Sequence, residues 1–215
     1  MKYLKSVLLF LSGSVLLCAA SAAGDPPTNE VLQSAVNDLY QSNFAASRQT
    51  LIAYSTAHPQ DPLPYSMKAA SYLFAELERA GALRGDLLSD DHHVQHGGSF
   101  KPDGKTEAAL DESVVQTRKY ARLRLLENPN DRNALLAMCI VTGVQRDYLA
   151  LVEHKLRESY TYIRESSAYA KRLLAADPSA YDAYLTKGFT EYLVANLPFY
   201  LRWIIYSIDC AHQRS

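Results

Sequence analysis

A proline-led phrase recurs three times along this chain, each copy standing before a stretch with helical apolar spacing. The copies are HPQDPLPYSMKAASYL from His58, NPNDRNALLAMCIVTG from Asn128 and DPSAYDAYLTKGFTEYL from Asp177. Six residues after the leading proline stands a large apolar or aromatic residue (Tyr65, Leu135, Tyr184), and ten after it a small one (Ala69, Cys139, Gly188). Proline ends a helix because it lacks the N–H and clashes with the preceding turn. A small residue at a fixed phase lets the next helix approach closely. The recurrence therefore constrains the chain to stacked antiparallel helix pairs, in which no pair buries its apolar face alone.

Along the chain, Val31, Leu32, Ala35, Val36, Leu39 and Tyr40 mark one face of a first helix, with Thr28 or Asn29 suited to cap it. A turn is expected at Ser42-Asn43, and Phe44, Ser47, Leu51 and Tyr54 mark a second helix that His58-Pro59 ends. Asp61 and Pro62 suit the cap and first turn of a third helix reaching about Ala80. Residues 81–105 hold five glycines and four aspartates and read as a long loop, of a kind that is functional or disordered in compact domains. This insertion explains why Pro59 and Pro129 lie 70 residues apart, against about 34 in an ordinary repeat of this kind. A helix from Thr106 to Glu127 follows, and then a pair beginning at Asp131 with a turn expected near Arg146-Asp147-Tyr148. Its second helix, carrying Leu149, Val152, Leu156, Tyr160, Ile163, Ala170 and Leu174, is expected to end before Pro178. A last helix is expected over Tyr181–Ala195.

The phase is that of a tetratricopeptide repeat, and the fold expected is an all-α, TPR-like α-α superhelix of antiparallel pairs over residues 24–208. Over the whole mature chain the sequence resembles exported tetratricopeptide-like proteins of environmental bacteria, especially the acidobacteria. The phrases that carry the resemblance are AASYLFAELERAGAL (Ala69–Leu83), the DRNAL…DYLAL run (Asp131–Leu151), YDAYLTKGFTEYL (Tyr181–Leu193) and LPFYLRW (Leu197–Trp203). Such relatives continue with further helices where this chain, from about Tyr206, reads IDCAHQRS, so the resemblance implies a truncated C-terminus. It brings no assigned activity with it.

Residues 1–23 have the three-part form of a secretory signal: Lys2 and Lys5, the apolar run Val7–Ala20, and Ala20-Ser21-Ala22 at a cleavage site. Leu16-Leu17 before Cys18 does not suit lipid attachment, so Cys18 reads as part of the apolar run. No later segment is expected to span a membrane, and the chain is expected to be exported, periplasmic or secreted. Cys139 stands at the small-residue position and reads as a buried apolar group; the spacing to Cys210 does not demand a disulfide. Without Lys2 and Lys5 the 22 basic residues fall to 20 against 23 acidic ones. That balance offers no basic stripe for a phosphate backbone, so nucleic acid is not an expected partner. The 15 tyrosines suit the seams between stacked helices, where the ring is buried and the hydroxyl finds a polar partner.

Asp90-Asp91-His92-His93-Val94-Gln95-His96 is the densest set of metal-ligating groups, and a metal-dependent enzyme built on His92–His96 is one reading. No second cluster supports it, His58 and His154 are poor further ligands, and a solvated polar loop is the plainer account. No nucleophile elbow or phosphate-binding loop is present. The expectation is a non-enzymatic scaffold without a cofactor, holding a peptide or protein partner in the groove formed by first helices. Repeat phase puts Asn133 and Asp182 at the groove mouth and Phe189 and Tyr192 deeper, where they could also pack internally. A solute-binding accessory of an envelope transporter is the alternative. Leu193, Leu197, Phe199, Trp203, Ile204 and Ile208 form an apolar group before a polar, disordered tail at 209–215, and are expected to promote self-association.

Overall fold

A computed structural model describes residues 30–81, 83, 102–180 and 183 of the chain. Six α-helices pack against one another and no strand occurs among the described residues. They are α1 (Glu30–Tyr40), α2 (Phe44–Ala57), α3 (Pro62–Arg79), α4 (Gly104–Glu127), α5 (Arg132–Asp147) and α6 (Leu156–Ala176). A single π-helical turn, Tyr148–Val152, extends α5.

The helix boundaries come from local chemistry. At the α1–α2 connection Ser42 takes the left-handed conformation, at φ 60°. His58-Pro59 closes α2, and Asp61 caps α3 through its side chain, which accepts a hydrogen bond from Leu63 N at 3.1 Å. Asp131 does the same for α5, accepting from Ala134 N at 2.8 Å. Gly81 follows α3 at φ 73°, a conformation that a residue with a Cβ adopts with strain, and its N–H donates to Glu78 O. The helix expected from Thr106 starts two residues earlier, because Asp103 accepts from the backbone N–H and hydroxyl of Thr106 and so stands at its cap. Most of the 81–105 segment, the helix expected over Tyr181–Ala195, and the two termini lie outside the described residues.

Two expectations are corrected at α5. The turn placed at Arg146-Asp147-Tyr148 is helical; the chain turns at Glu153–Lys155, where His154 sits at φ 57° and not on a helix face. Consequently Leu149 and Val152 belong to the π-helical turn, and α6 is 21 residues long, starting at Leu156. Arg132–Val152 also proves long and apolar enough to cross a membrane by length and composition, contrary to expectation, yet 83% of its apolar window is buried inside the protein. It is the core helix: every residue from Ala134 to Val144 is buried, and the Thr142 hydroxyl is satisfied by donating to Met138 O at 2.7 Å.

The helices associate as pairs, α1 with α2, α3 with α4 and α5 with α6. Each later pair places its first helix on both helices of the pair before it: α3 touches α2 and, less extensively, α1, while α5 touches α4 and α3. The same buried registers recur in each second helix, counted back from its closing proline. Twelve residues before Pro59, Pro129 and Pro178 stand Ser47, Thr117 and Ser166, all fully enclosed. Eight before stand Leu51, Ala121 and Ala170, which are likewise inaccessible. On the first helices the expected small positions Ala69 and Cys139 are both buried, as is Leu135 at the large position. Its counterpart Tyr65 is half-buried and stacks on Tyr120 of α4, with ring centroids 5.5 Å apart. One continuous core runs from Ala35 in α1 to Ala183.

Candidate functional site

Of the residues that repeat phase assigns to a groove, Asn133 lies in the first turn of α5 with its side chain exposed. Asp182, Phe189 and Tyr192 lie outside the described residues, as do His92, His93 and His96. Among the described residues no three histidine, cysteine, aspartate or glutamate side chains converge in a manner that could hold a metal ion.

Two polar constellations stand out instead. The first lies along the edge where the proline turns line up. A cleft of about 630 Å³ opens between His58-Pro59-Gln60-Asp61 and the end of α4, lined also by Arg124, Glu127, Asn128 and Asp131. Arg124 joins the two capping aspartates across it, 2.8 Å from Asp131 Oδ2 and 3.9 Å from Asp61 Oδ1. The other Asp61 oxygen accepts from the Tyr54 hydroxyl at 3.3 Å, and the Tyr54 ring lies 4.4 Å from that of His58. At the next turn Arg132 pairs with Asp177 Oδ2 at 2.8 Å and Arg172 donates to Pro129 O at 2.8 Å. Asp61, Asp131 and Asp177 are thus committed to caps and arginines, and this edge fastens consecutive pairs together.

The second constellation surrounds the π-helical turn, a local irregularity that often accompanies function. Arg146 and Asp147, adjacent in sequence and both enclosed, form a two-pronged ion pair, Nε–Oδ1 2.7 Å and Nη2–Oδ2 3.1 Å. Burial pushes the Asp147 carboxyl up, against the pull of Arg146. Glu76, enclosed at the end of α3, binds Arg79 at 2.8 Å and accepts from the Asp103 N–H at 3.4 Å. Glu153 pairs with Lys155 at 2.8 Å. The Tyr148 hydroxyl is buried without a hydrogen-bond partner among the described residues. Burial first, then the negative charges of Glu107, Glu153, Glu76 and Asp111, push its pKa well above the ordinary tyrosine value. Asp111 is raised too, by burial and then by Glu153. Such a tyrosine stays protonated and neutral, and the paired acids beside it are held by cations.

A third set is made for contact. Tyr65, Lys68 and Tyr72 form a half-buried stripe on α3, flanked by α2 and α4. Arg48 of α2 lies over the Tyr72 ring at 4.9 Å, Lys68 over Tyr65 at 5.3 Å, and Lys119 over Tyr120 at 5.0 Å. Further along, Arg118 of α4 grips Glu165 of α6 with contacts of 2.7 and 2.8 Å and donates to Gln145 Oε1 of α5, tying three helices together. The tyrosines therefore do occupy seams, and each of these seams pairs them with a cation. Tyrosine abundance hinted at this; Lys68 and Lys119 stand on the same helix as their rings, whereas Arg48 reaches Tyr72 from another helix and carries no spacing signal.

No protein-family model matches the chain, and neither a search of curated proteins nor one of solved structures found a match.

Proposed function

We propose that this chain is an exported, tetratricopeptide-like scaffold that holds a peptide or protein partner on the surface formed by the first helices of its pairs. The observation that carries the reading is the pattern of contacts: each pair seats its first helix on both helices of the pair before, bringing α3 and α5 side by side. Repeating that step generates one continuous surface from equivalent helices, suited to an extended ligand. The recurring buried registers of the second helices support a true repeat, and the exposed Asn133 supplies an amide able to bond a peptide backbone. Partner binding, absence of turnover and export are parts of this proposal.

The test is selection of a random-peptide display library on the purified chain, followed by affinity measurements with Asn133→Ala, Asp182→Ala, Phe189→Ala and Tyr192→Ala. Selected peptides that bind the parent and lose affinity in these variants are expected. Failure to select any peptide, or unaltered binding in all four variants, overturns the groove. Expression with the native leader and sequencing of the mature N-terminus, expected near Gly24, checks export.

A further inference from the structure

Arg48 and Arg118 occupy one register of the repeat, eleven residues before Pro59 and Pro129 respectively. Their surroundings differ in one respect. The Arg118 guanidinium is filled on two edges, by the Glu165 carboxylate and by Gln145 Oε1. Glu165 comes from the next second helix, thirteen residues before its closing proline, Pro178. In the preceding repeat the residue thirteen before Pro129 is Gln116, and the counterpart of Gln145, sixteen after the leading proline, is Ala75.

Arg48 accordingly meets no carboxylate among the described residues. Its Nη1 donates to Ser71 Oγ at 3.1 Å and to Ser71 O at 3.4 Å, and its carbon centre lies over Tyr72. Ser71 Oγ is itself held by donating to Phe44 O at 3.1 Å. The arginine is thus oriented from one side, while Nε and Nη2, the edge that matches a carboxylate in two parallel bonds, donate to nothing among the described residues. Lys68, one turn before Tyr72 on the same stripe, adds a second cation; burial lowers its pKa, and Glu112 only partly opposes this. A partly desolvated cation favours an incoming negative charge more than a hydrated one does.

We propose that Arg48 and Tyr72, with Lys68 one turn along the same stripe, form a recognition site for a glutamate or aspartate side chain of a partner protein's acidic segment, which takes on Arg48 the Nε–Nη2 edge that Gln145 Oε1 takes on Arg118. A side-chain carboxylate is the occupant because two parallel N–H donors on a cation match a carboxylate, and in the same register the chain brings one, Glu165, to the other edge of Arg118. The stripe lies between α2 and α4 and is separate from the groove of Asn133, so it can succeed or fail independently of that reading.

The experiment uses the full chain and a fluorescent, N-acetylated, C-amidated alanine-based nonapeptide carrying one tyrosine and one glutamate, against its glutamine counterpart. A peptide with a free C-terminal carboxylate in place of the glutamate is a third arm. Fluorescence anisotropy is expected to show the glutamate peptide binding about tenfold more tightly than the glutamine peptide, as charge-assisted hydrogen bonds allow, and weakening with salt. Arg48→Gln is expected to erase that preference. Gln116→Glu, which supplies the chain's own carboxylate in the Glu165 register, is expected to erase it while leaving the fold intact by circular dichroism. Asn133→Ala is expected to leave it unchanged. Equal binding of the glutamate and glutamine peptides, including no binding of either, overturns the proposal. So does a preference for the free C-terminus, a preference that survives in both Arg48→Gln and Gln116→Glu, or one lost in Asn133→Ala.

Discussion

Ser47 and Tyr148 each bury a hydroxyl oxygen that has no hydrogen-bond partner among the described residues. Removing such a group removes its desolvation cost, so Ser47→Ala and Tyr148→Phe are each expected to stabilise the protein by about 1 kcal/mol in chemical denaturation. Destabilisation by either would show that a partner exists. The Arg146–Asp147 pair is the opposite case. Arg146→Met strands a buried carboxylate and is expected to cost about 3–5 kcal/mol, whereas Arg146→Met with Asp147→Leu costs much less. A double variant as damaged as the single one would sink that account. Asp177 gives a pH signature: hydrogen bonds from Ser179, side chain and backbone, and the Arg132 charge hold its carboxyl below the ordinary 3.8. A carboxylate depressed in the folded state stabilises above the unfolded value, and that contribution is lost as pH falls through the folded one. Thermal melts of Asp177→Ala are therefore expected to fall below the parent at pH 6 and to converge with it well below pH 3.8. A constant gap across that range would contradict the assignment.

At the scale of elements, spacing between first helices rests on Ala69 and Cys139, which occupy one register and are both enclosed. Leucine at either site must push α3 or α5 off its neighbours, and Ala69→Leu and Cys139→Leu are each expected to cost about 1–3 kcal/mol by urea denaturation. Neutral substitutions would mean that the register does not set the packing distance. The cap at Asp61 and the helix start at Asp131 were legible in the sequence because the carboxylate acts on an N–H two or three residues away. The end of α5 was not. Arg146-Asp147-Tyr148 is polar and reads as a turn, but the two charges neutralise each other, and the helix continues through them into the π-helical turn.

Among the described residues, contacts are unevenly shared across the molecule. α5 meets α3, α4 and α6, while α1 meets α2 and only a little of α3. Where repeats hold one another through nearest neighbours, the end with fewest neighbours opens first. Native-state hydrogen exchange is expected to be slowest in Leu135–Val144 of α5 and fastest among the helices in Glu30–Tyr40. Comparable protection in both would mean that the molecule opens as one unit.

The all-helical class, the proline and aspartate boundaries, the pairing of helices and the burial of Ala69, Leu135 and Cys139 could be read from the residues in order. Each of these follows from periodicity or from hydrogen bonds spanning a few residues. What surrounds each helix came from the packing of distant segments. Arg132–Val152 has the composition of a membrane-crossing segment and is instead enclosed by protein. Arg48 and Arg118 share a register, yet only Arg118 has a carboxylate in its fork, because that carboxylate arrives from a helix 47 residues further along. Local bonding is written in neighbouring residues. Dielectric environment and charge pairing belong to whichever distant segment folds against them.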